Sequence, residues 1–375
     1  MRAFSQLQNG HFCTSSLLSF CFSADPNHGS NVPCRLTFAS AATPAATLSS
    51  SAVSADINKP LVVVGSANAD IYVEIDRLPK QGETVAARDG QTLAGGKGAN
   101  QACCSGRLAH PTYFVGQIGD DAHGRLIEDA LRLGGVRLDR LARVVAAPTG
   151  FAVVMLEPDG QNSIIIIGGA NMRGWPEKVR GEDLEIVATA GVVLLQREIP
   201  DRINIQFAEA AKNAGVPVIL DAGGVEGPIP DELLKAVDIL SPNESELERL
   251  TGMPTETFDE ITLAVMKCHE MGVKKILLKL GSKGSALFVE GEKALRQAAI
   301  PASEVVDTTG AGDTFTAAFA VALVEGLSLK GCLEFAAAAA SLCVEVKGAI
   351  ASLPERTAVL ERLQSVDAKG RHASY

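Results

Sequence analysis

The segment VVDTTGAGDTFTAAFAVAL, residues 305–323, joins an apolar strand end to a Gly-rich turn and then to an apolar-periodic helix. Gly310 and Gly312, with Ala311 between them, remove side chains where that helix begins. Free backbone N–H groups and the positive end of the helix dipole can then face an anion. Asp313 falls in the first turn beside this hole, where the same N–H groups are expected to keep its carboxylate ionised. A carboxylate next to a phosphate-sized hole suits a reaction in which a hydroxyl loses its proton while attacking a phosphoryl group. The transition state of such transfers is loose and the proton leaves late, so an acid with a pKa near ~4 suffices as acceptor. The plainer alternative is a capped helix whose glycines ease packing.

Three further segments carry chemistry. In LAGGKGANQACC, residues 93–104, Gly95 and Gly96 allow close backbone approach to a polyhydroxyl ligand, and Lys97 and Asn100 supply donors for its hydroxyls. It is not a Walker A loop, because Gln91 stands where the first Gly is needed and Gly98 follows the lysine. In GSANAD, residues 65–70, Asn68 and Asp70 lie two apart in an extended chain and point the same way, able to grip adjacent hydroxyls. An Asx turn closing the strand is the alternative there. In SPNESELERLTG, residues 241–252, Asn243 caps a helix whose first turn holds Glu244 and Glu246. Glu246 is also placed to organise the water shell of Mg²⁺, a metal that retains much of its hydration.

These segments need elements to hold them. Apolar runs at 61–64, 114–115, 192–195, 216–220, 239–240 and 276–280 alternate with helical patterns at 98–109, 122–133, 201–214, 243–251 and 258–271. That alternation predicts a parallel sheet covered by helices on both faces, an α/β fold. Residues 151–156 and 163–167 flank Pro158-Asp159-Gly160 and read as a hairpin projecting from the sheet as a lid. Ala-rich helices are expected over 312–325 and 331–345, with small residues that permit close packing.

The chain has 375 residues, 46% of them hydrophobic, enough for a large core, and no apolar run of membrane-spanning length. A formal net charge of −10 argues against a broad nucleic-acid footprint. The eight cysteines include no CxxC pair and read as free thiols of a reducing compartment. Residues 1–55 are rich in Ser, Ala and Thr, with Arg2 and Arg35 the firm positive charges and Asp25 the acid. This is the composition of an organelle transit peptide, plastid before mitochondrion, the alternative being a disordered tail on a cytoplasmic protein. Residues 56–375 then form the folded domain.

Taken together and in this order, GGKGAN, Asn243 to Glu246 and DTTGAGD resemble the signatures of the ribokinase-like (PfkB) carbohydrate kinase family. The resemblance covers residues 60 to about 365. It implies a three-layer α/β/α fold with a small β-sheet lid drawn from parts of about 70–93 and 148–170, and dimers formed through paired lids. It implies ATP as phosphoryl donor with Mg²⁺, Asp313 as base, and Gly310, Ala311 and Gly312 around the γ-phosphate. Asn68, Asp70, Gly95, Gly96, Lys97 and Asn100 would hold the sugar, with Gln161 in the lid. Asn243, Lys279, Gly281, Ser282 and Gly284 would face ATP. An activating K⁺ would sit at Asp307, Thr309, Cys343, Val346, Gly348 and Ser352.

Two departures from the family pattern stand out. Gln161-Asn162 replaces an acidic residue before Asn in the lid, and Lys279-Leu280-Gly281 replaces Thr-Leu-Gly before the nucleotide loop. An amine at 279 either reaches a phosphate or points away. Asn68-Ala69-Asp70 with Lys97 to Gln101 resembles the ribose-phosphorylating branch more than the fructose branch. Phosphorylation of the ribose 5-hydroxyl is therefore expected, the alternatives being another sugar or nucleoside, or a catalytically silent sugar binder.

Overall fold

The computed structural model describes residues 59–158, 162–224 and 227–372. Leu61–Val64 forms β1, four fully buried apolar residues that require cover on both faces. Successive side chains go opposite ways: Leu61 and Val63 enter one helix-covered core, Val62 and Val64 the other. The chain leaves β1 for a flap strand, β2 (Asn68–Glu74), and returns along β3 (Asp89–Gly95) into α1 (Lys97–Arg107). It continues through β4 (Thr112–Gly119), α2 (Ala122–Leu133) and β5 (Arg137–Val144) to a second flap pair, β6 (Gly150–Leu156) and β7 (Asn162–Ile167). Helix and strand then alternate: α3 (Gly181–Ala188), β8 (Val192–Arg197), α4 (Asp201–Asn213), β9 (Val218–Gly224), α5 (Asp231–Ala236) and β10 (Ile239–Ser241). Helices α6 (Glu244–Thr251) and α7 (Phe258–Glu270) lead to β11 (Lys275–Lys279), β12 (Ser285–Val289) and β13 (Leu295–Gln297). Three helices end the described chain: α8 (Ala311–Val324), α9 (Leu329–Cys343) and α10 (Arg356–His372).

The nine-stranded sheet runs β13-β12-β11-β10-β9-β8-β1-β4-β5, parallel from β11 to β5 and antiparallel at β12 and β13. One core gathers α1, α2, α8, α9 and α10 on one face; the other gathers α3 to α7 on the opposite face. The expected three-layer α/β/α architecture is thus what forms. Strand order runs outward from β1 through β4 and β5, then resumes at β8 and runs the other way. Between β1 and β8 lies the switch point, where the carboxyl ends of parallel strands open a crevice for ligands.

The second sheet, β3-β2-β6-β7, is the flap. Tyr72, Ala152 and Val154 form its small core with Leu93 and Leu156. The hairpin of β6 and β7 pairs antiparallel as expected, Val153 opposite Ile165. On the edge strand β7, Ile164, Ile165 and Ile166 are 54%, 55% and 58% exposed, so apolar side chains are open on both faces.

Element bounds differ little from expectation where periodicity is strong. The expected helix over 331–345 starts two residues earlier because Ser328 caps it, accepting from the Gly331 N–H. Strands β5, β12 and β13 have no counterpart among the expected elements; β5 reads RLDRLARV, a charged edge strand without an apolar run. Cys103, Cys104, Cys268, Cys332 and Cys343 are buried free thiols. The transit-peptide expectation for residues 1–55 lies outside the described residues, as does Gln161.

Candidate active site

Asp313 sits in the first turn of α8, whose N-cap Gly310 adopts φ +78°, a conformation that favours glycine, and packs against Ala349. The Ala311 N–H already donates to the Thr308 carbonyl at 3.2 Å, so the hole is left chiefly to the N–H groups of Gly312 and Asp313. The face of Gly312 is open: a side chain there would meet only Lys279, its Nζ 4.0 Å away. The buried Asp313 carboxylate is not held by its own helix, as the sequence suggested. Its donors come from α1: Asn100 Nδ2 at 2.9 Å and Gln101 Nε2 at 3.1 Å, with Lys97 Nζ at 3.8 Å. Gln101 is fixed in turn by Gln196, whose Nε2 donates to Gln101 Oε1 at 2.7 Å. The Asn100 amide donor is therefore committed to Asp313, and Asn100 presents a buried, unpartnered Oδ1 instead.

The flap brings Asn68 and Asp70 to the same crevice, one residue pair from the Gly95–Gly96 turn, with Asn68 opposite Gly95 in the β2–β3 register. Gly96 adopts φ +91° and approaches the Asn68 N–H so closely that a side chain there would collide with backbone. Asn171 locks Asn68, donating Nδ2 to Asn68 Oδ1 at 2.6 Å and to the Ala67 carbonyl at 3.0 Å, while its Oδ1 accepts from the Ala67 N–H. Burial, reinforced by the charges of Glu198 and Asp313, pushes the Asp70 carboxyl up to about 7. Glu198 accepts from Ser66 Oγ at 2.5 Å and from the Lys97 N–H at 3.1 Å, tying β8 to the start of α1.

Between Lys97 and Lys279 lies Asp221, fully buried midway along β9. Its Oδ2 accepts from Lys279 Nζ at 2.7 Å and Thr316 Oγ1 at 3.3 Å; its Oδ1 accepts from the Gly223 N–H at 3.0 Å and lies 3.7 Å from Lys97 Nζ. Against the burial that would raise it, the two ammoniums and the Gly223 N–H hold this carboxyl below the usual carboxylate range. Burial opposes charge on Lys97, yet Asp313, Asp221, Glu198 and Glu246 together hold its ammonium well above the usual lysine range. Lys279 thus neither points away nor stands free, but lies beside Gly312.

A cleft of about 900 Å³ opens from this point, lined by Lys97, Lys279, Asn243, Glu246, the 281–284 turn and the start of α8. Asn243 and Glu246 form a capping box, the Glu246 N–H donating to Asn243 Oδ1 and the Asn243 N–H to Glu246 Oε2, both at 2.8 Å. The other oxygen of Glu246 is directed toward Gly223 and Lys97. Gly281, Ser282 and Gly284 shape a turn closed by Leu280 N–H donating to the Gly284 carbonyl at 2.9 Å. Beside it, Asp307 gathers the K⁺ candidates: Oδ1 accepts from the Thr309 N–H and hydroxyl, Oδ2 from the Gly348 N–H at 2.8 Å. Burial raises the Asp307 carboxyl, but these donors outweigh it and hold it low. Cys343 Sγ and Ser352 Oγ meet at 3.1 Å on the same loop. Among the described residues, no cluster of three His, Cys, Asp or Glu side chains could hold a metal by itself.

The family pattern described as pfkB family carbohydrate kinase matches residues 58–356. The chain belongs to this family of carbohydrate kinases. It is 69% identical over 307 residues to ribokinase of Arabidopsis thaliana, covering 81% of each chain. It is 37% identical over 303 residues to ribokinase of Bacillus subtilis, covering 81% of this chain and 99% of that one. Among solved structures, Arabidopsis thaliana ribokinase complexed with ribose and ATP superposes with a TM-score of 0.80, at 69% identity over 81% of this chain and 98% of that one.

Within this pfkB-family chain, four residues of the site carry no role in the motifs as read from sequence: Asn171, Glu198, Gln101 and Asp221. Gln101 lies inside a recognised motif. A carboxylate just after an apolar run is the signal that Asp221 offers after 216–220, and Glu198 follows directly on β8, since the carboxyl ends of strands at a switch point face ligands. Asn171, in a short turn after the flap, has no local signature.

Proposed function

We propose that the chain transfers the γ-phosphoryl group of ATP to O5 of D-ribose, giving ribose 5-phosphate and ADP. The observation that carries this reading is Asp313, a carboxylate in the first turn of α8, facing the sugar-side residues through Asn100 and Lys97 and the open N–H groups at Gly312 on the other side. Asp313 takes the proton of the 5-hydroxyl as O5 bonds to the γ-phosphorus, and the bond to the bridging oxygen breaks with its electron pair leaving on ADP. The N–H groups at Gly312 and Asp313 face the negative charge of the transferring group, with Gly310 and Ala311 setting the turn.

Asn68, Asp70, Gly95, Gly96, Lys97 and Asn100 hold ribose, with Glu198 at the same crevice and Gln161 from the lid. Asn243, Lys279, Gly281, Ser282 and Gly284 line the nucleotide side. Glu246 keeps an oxygen outside its capping box that would hold a water of a triphosphate-bound Mg²⁺, and that ion would supply neutralisation of phosphate charge. K⁺ fits the turn that Asp307 ties to Gly348, where carbonyls near Thr309, Cys343, Val346 and Ser352 would hold it and stiffen the start of α8. The exposed isoleucines of β7 support a homodimer through the flap. The composition of residues 1–55 supports a transit peptide ahead of a domain from residue 56, and import into the plastid.

The test is ATP consumption by the domain from Ile57 with ribose, deoxyribose, fructose, adenosine and uridine, with and without K⁺, beside Asp313→Ala. Turnover on ribose, raised by K⁺ and abolished by Asp313→Ala, is the expected outcome. Turnover on another compound alone would overturn the sugar assignment, and turnover on none would leave a silent sugar binder.

A further inference from the structure

Asp221 is a fully buried carboxylate with no hydrogen bond to Asn68, Asp70 or Asp313; its contact with α8 is the Thr316 hydroxyl. It contacts one ammonium on each side. Oxygen Oδ1 faces Lys97, which stands 3.8 Å from Asp313 on the sugar side; oxygen Oδ2 receives Lys279, which lies over the bare face of Gly312 on the phosphate side. The Gly223 N–H and the Thr316 hydroxyl occupy its remaining acceptor directions and fix its orientation. Lysine is long and rotamer-rich, and an unanchored ammonium at 279 would be free to leave the cleft for solvent.

We propose that Asp221 is a positioning residue that holds Lys279 at the anion hole as an added phosphate-facing cation, and that through its other oxygen it couples this cation to Lys97 on the sugar side. The inference rests on the phosphoryl-transfer reading above. The paired carboxylate keeps the two ammoniums from repelling one another when the cleft is empty. When phosphate arrives, Lys279 needs only to share its three N–H donors between Asp221 and a phosphate oxygen.

The experiment compares Lys279→Thr, Lys279→Arg, Asp221→Asn and the double variant Asp221→Asn with Lys279→Thr. It measures steady-state kinetics in ribose and ATP, and calorimetric binding of a non-hydrolysable ATP analogue. Lys279→Thr is expected to lower kcat/KM for ATP by roughly 10–100-fold, the loss of one charge-assisted hydrogen bond, with KM for ribose unmoved, and Lys279→Arg to restore part of it. Asp221→Asn is expected to impair both the ATP and ribose parameters. The double variant should be no worse for ATP than Asp221→Asn alone, because the two residues act as one unit. A Lys279→Thr enzyme with unchanged ATP parameters, or full additivity in the double variant, overturns the proposal. If Asp221→Asn does not fold, the two Lys279 variants decide. If the wild-type chain phosphorylates no sugar, the functional reading fails separately, and weaker analogue binding by Lys279→Thr than by wild type still supports the anchored cation. Equal binding, or none by either, sinks it.

Discussion

Asn171 donates its side-chain amide to Asn68 Oδ1 at 2.6 Å while bridging both backbone groups of Ala67, so a turn beyond the flap fixes the Asn68 side chain from 103 positions away. Replacing Asn171 by Ala orphans the buried Ala67 N–H and is expected to cost about 1–3 kcal/mol of stability. With Asn68 free to turn, KM for the sugar should rise by roughly tenfold while KM for ATP stays put. Thermal unfolding and initial rates check the two halves.

Asp313→Asn preserves shape but removes the proton acceptor. Turnover should fall by roughly 10²–10⁴-fold with ATP binding retained and the fold intact, measured by coupled assay and calorimetry.

Asp70 supplies a pH signature. Its carboxyl lies at about 7 in the folded chain against 3.8 for an ordinary aspartate, so between these limits the folded state binds more protons than the unfolded state. Stability of the ligand-free protein should therefore decline as pH rises from about 4 to about 7, and Asp70→Asn should flatten that decline. Sugar affinity should move the opposite way, tightening as Asp70 ionises through about 7, because an ionised carboxylate accepts hydroxyl hydrogen bonds more strongly. Melting curves and ribose titrations from pH 5 to 8 report both slopes.

Neighbouring glycines separate binding from folding. A methyl group on Gly95 would stand on the Asp70 carboxylate, which can swing aside, so Gly95→Ala should weaken sugar binding at little cost in stability. A methyl group on Gly96 meets the Asn68 N atom at 2.7 Å, in a backbone at φ +91°. Gly96→Ala should lose about 1–3 kcal/mol from backbone conformation alone, before the clash is added. Denaturant unfolding beside ribose binding distinguishes the two.

Glu246→Gln can keep the capping bond to the Asn243 N–H while deleting the charge that acts on Lys97. Its stability should stay within about 0.5 kcal/mol of wild type, whereas Glu246→Ala should lose about 1 kcal/mol. Both variants should need more Mg²⁺ for half-maximal rate, read from a Mg²⁺ titration of turnover.

Local chemistry is legible in the sequence wherever it is written in adjacent residues. The capping box of Asn243 and Glu246, the Gly310 turn and the hairpin of β6 and β7 each depend on a span of a few positions. What stays hidden depends on distance along the chain. Asp313 is held by Asn100 and Gln101 across more than 200 positions, so a reading confined to its own helix names the wrong donors. Likewise, the amine at 279 has two open readings in the sequence, and only the fold brings Asp221, 58 positions earlier, to hold it. Strand β5 hides for another reason, since its charged residues sit at an exposed edge where burial imposes no apolar pattern.

Strand β2 begins at Asn68 within the crevice and ends at Glu74 in the flap, pairing along its whole length with β6, whose other neighbour is the isoleucine-bearing β7. One sheet therefore carries Asn68 and Asp70 on an inner strand and exposed isoleucines on the edge strand two places away. If an occupant of β7 restrains β2 through β6, then a ligand held by Asn68 and Asp70 must alter the affinity of β7 for that occupant by the same factor.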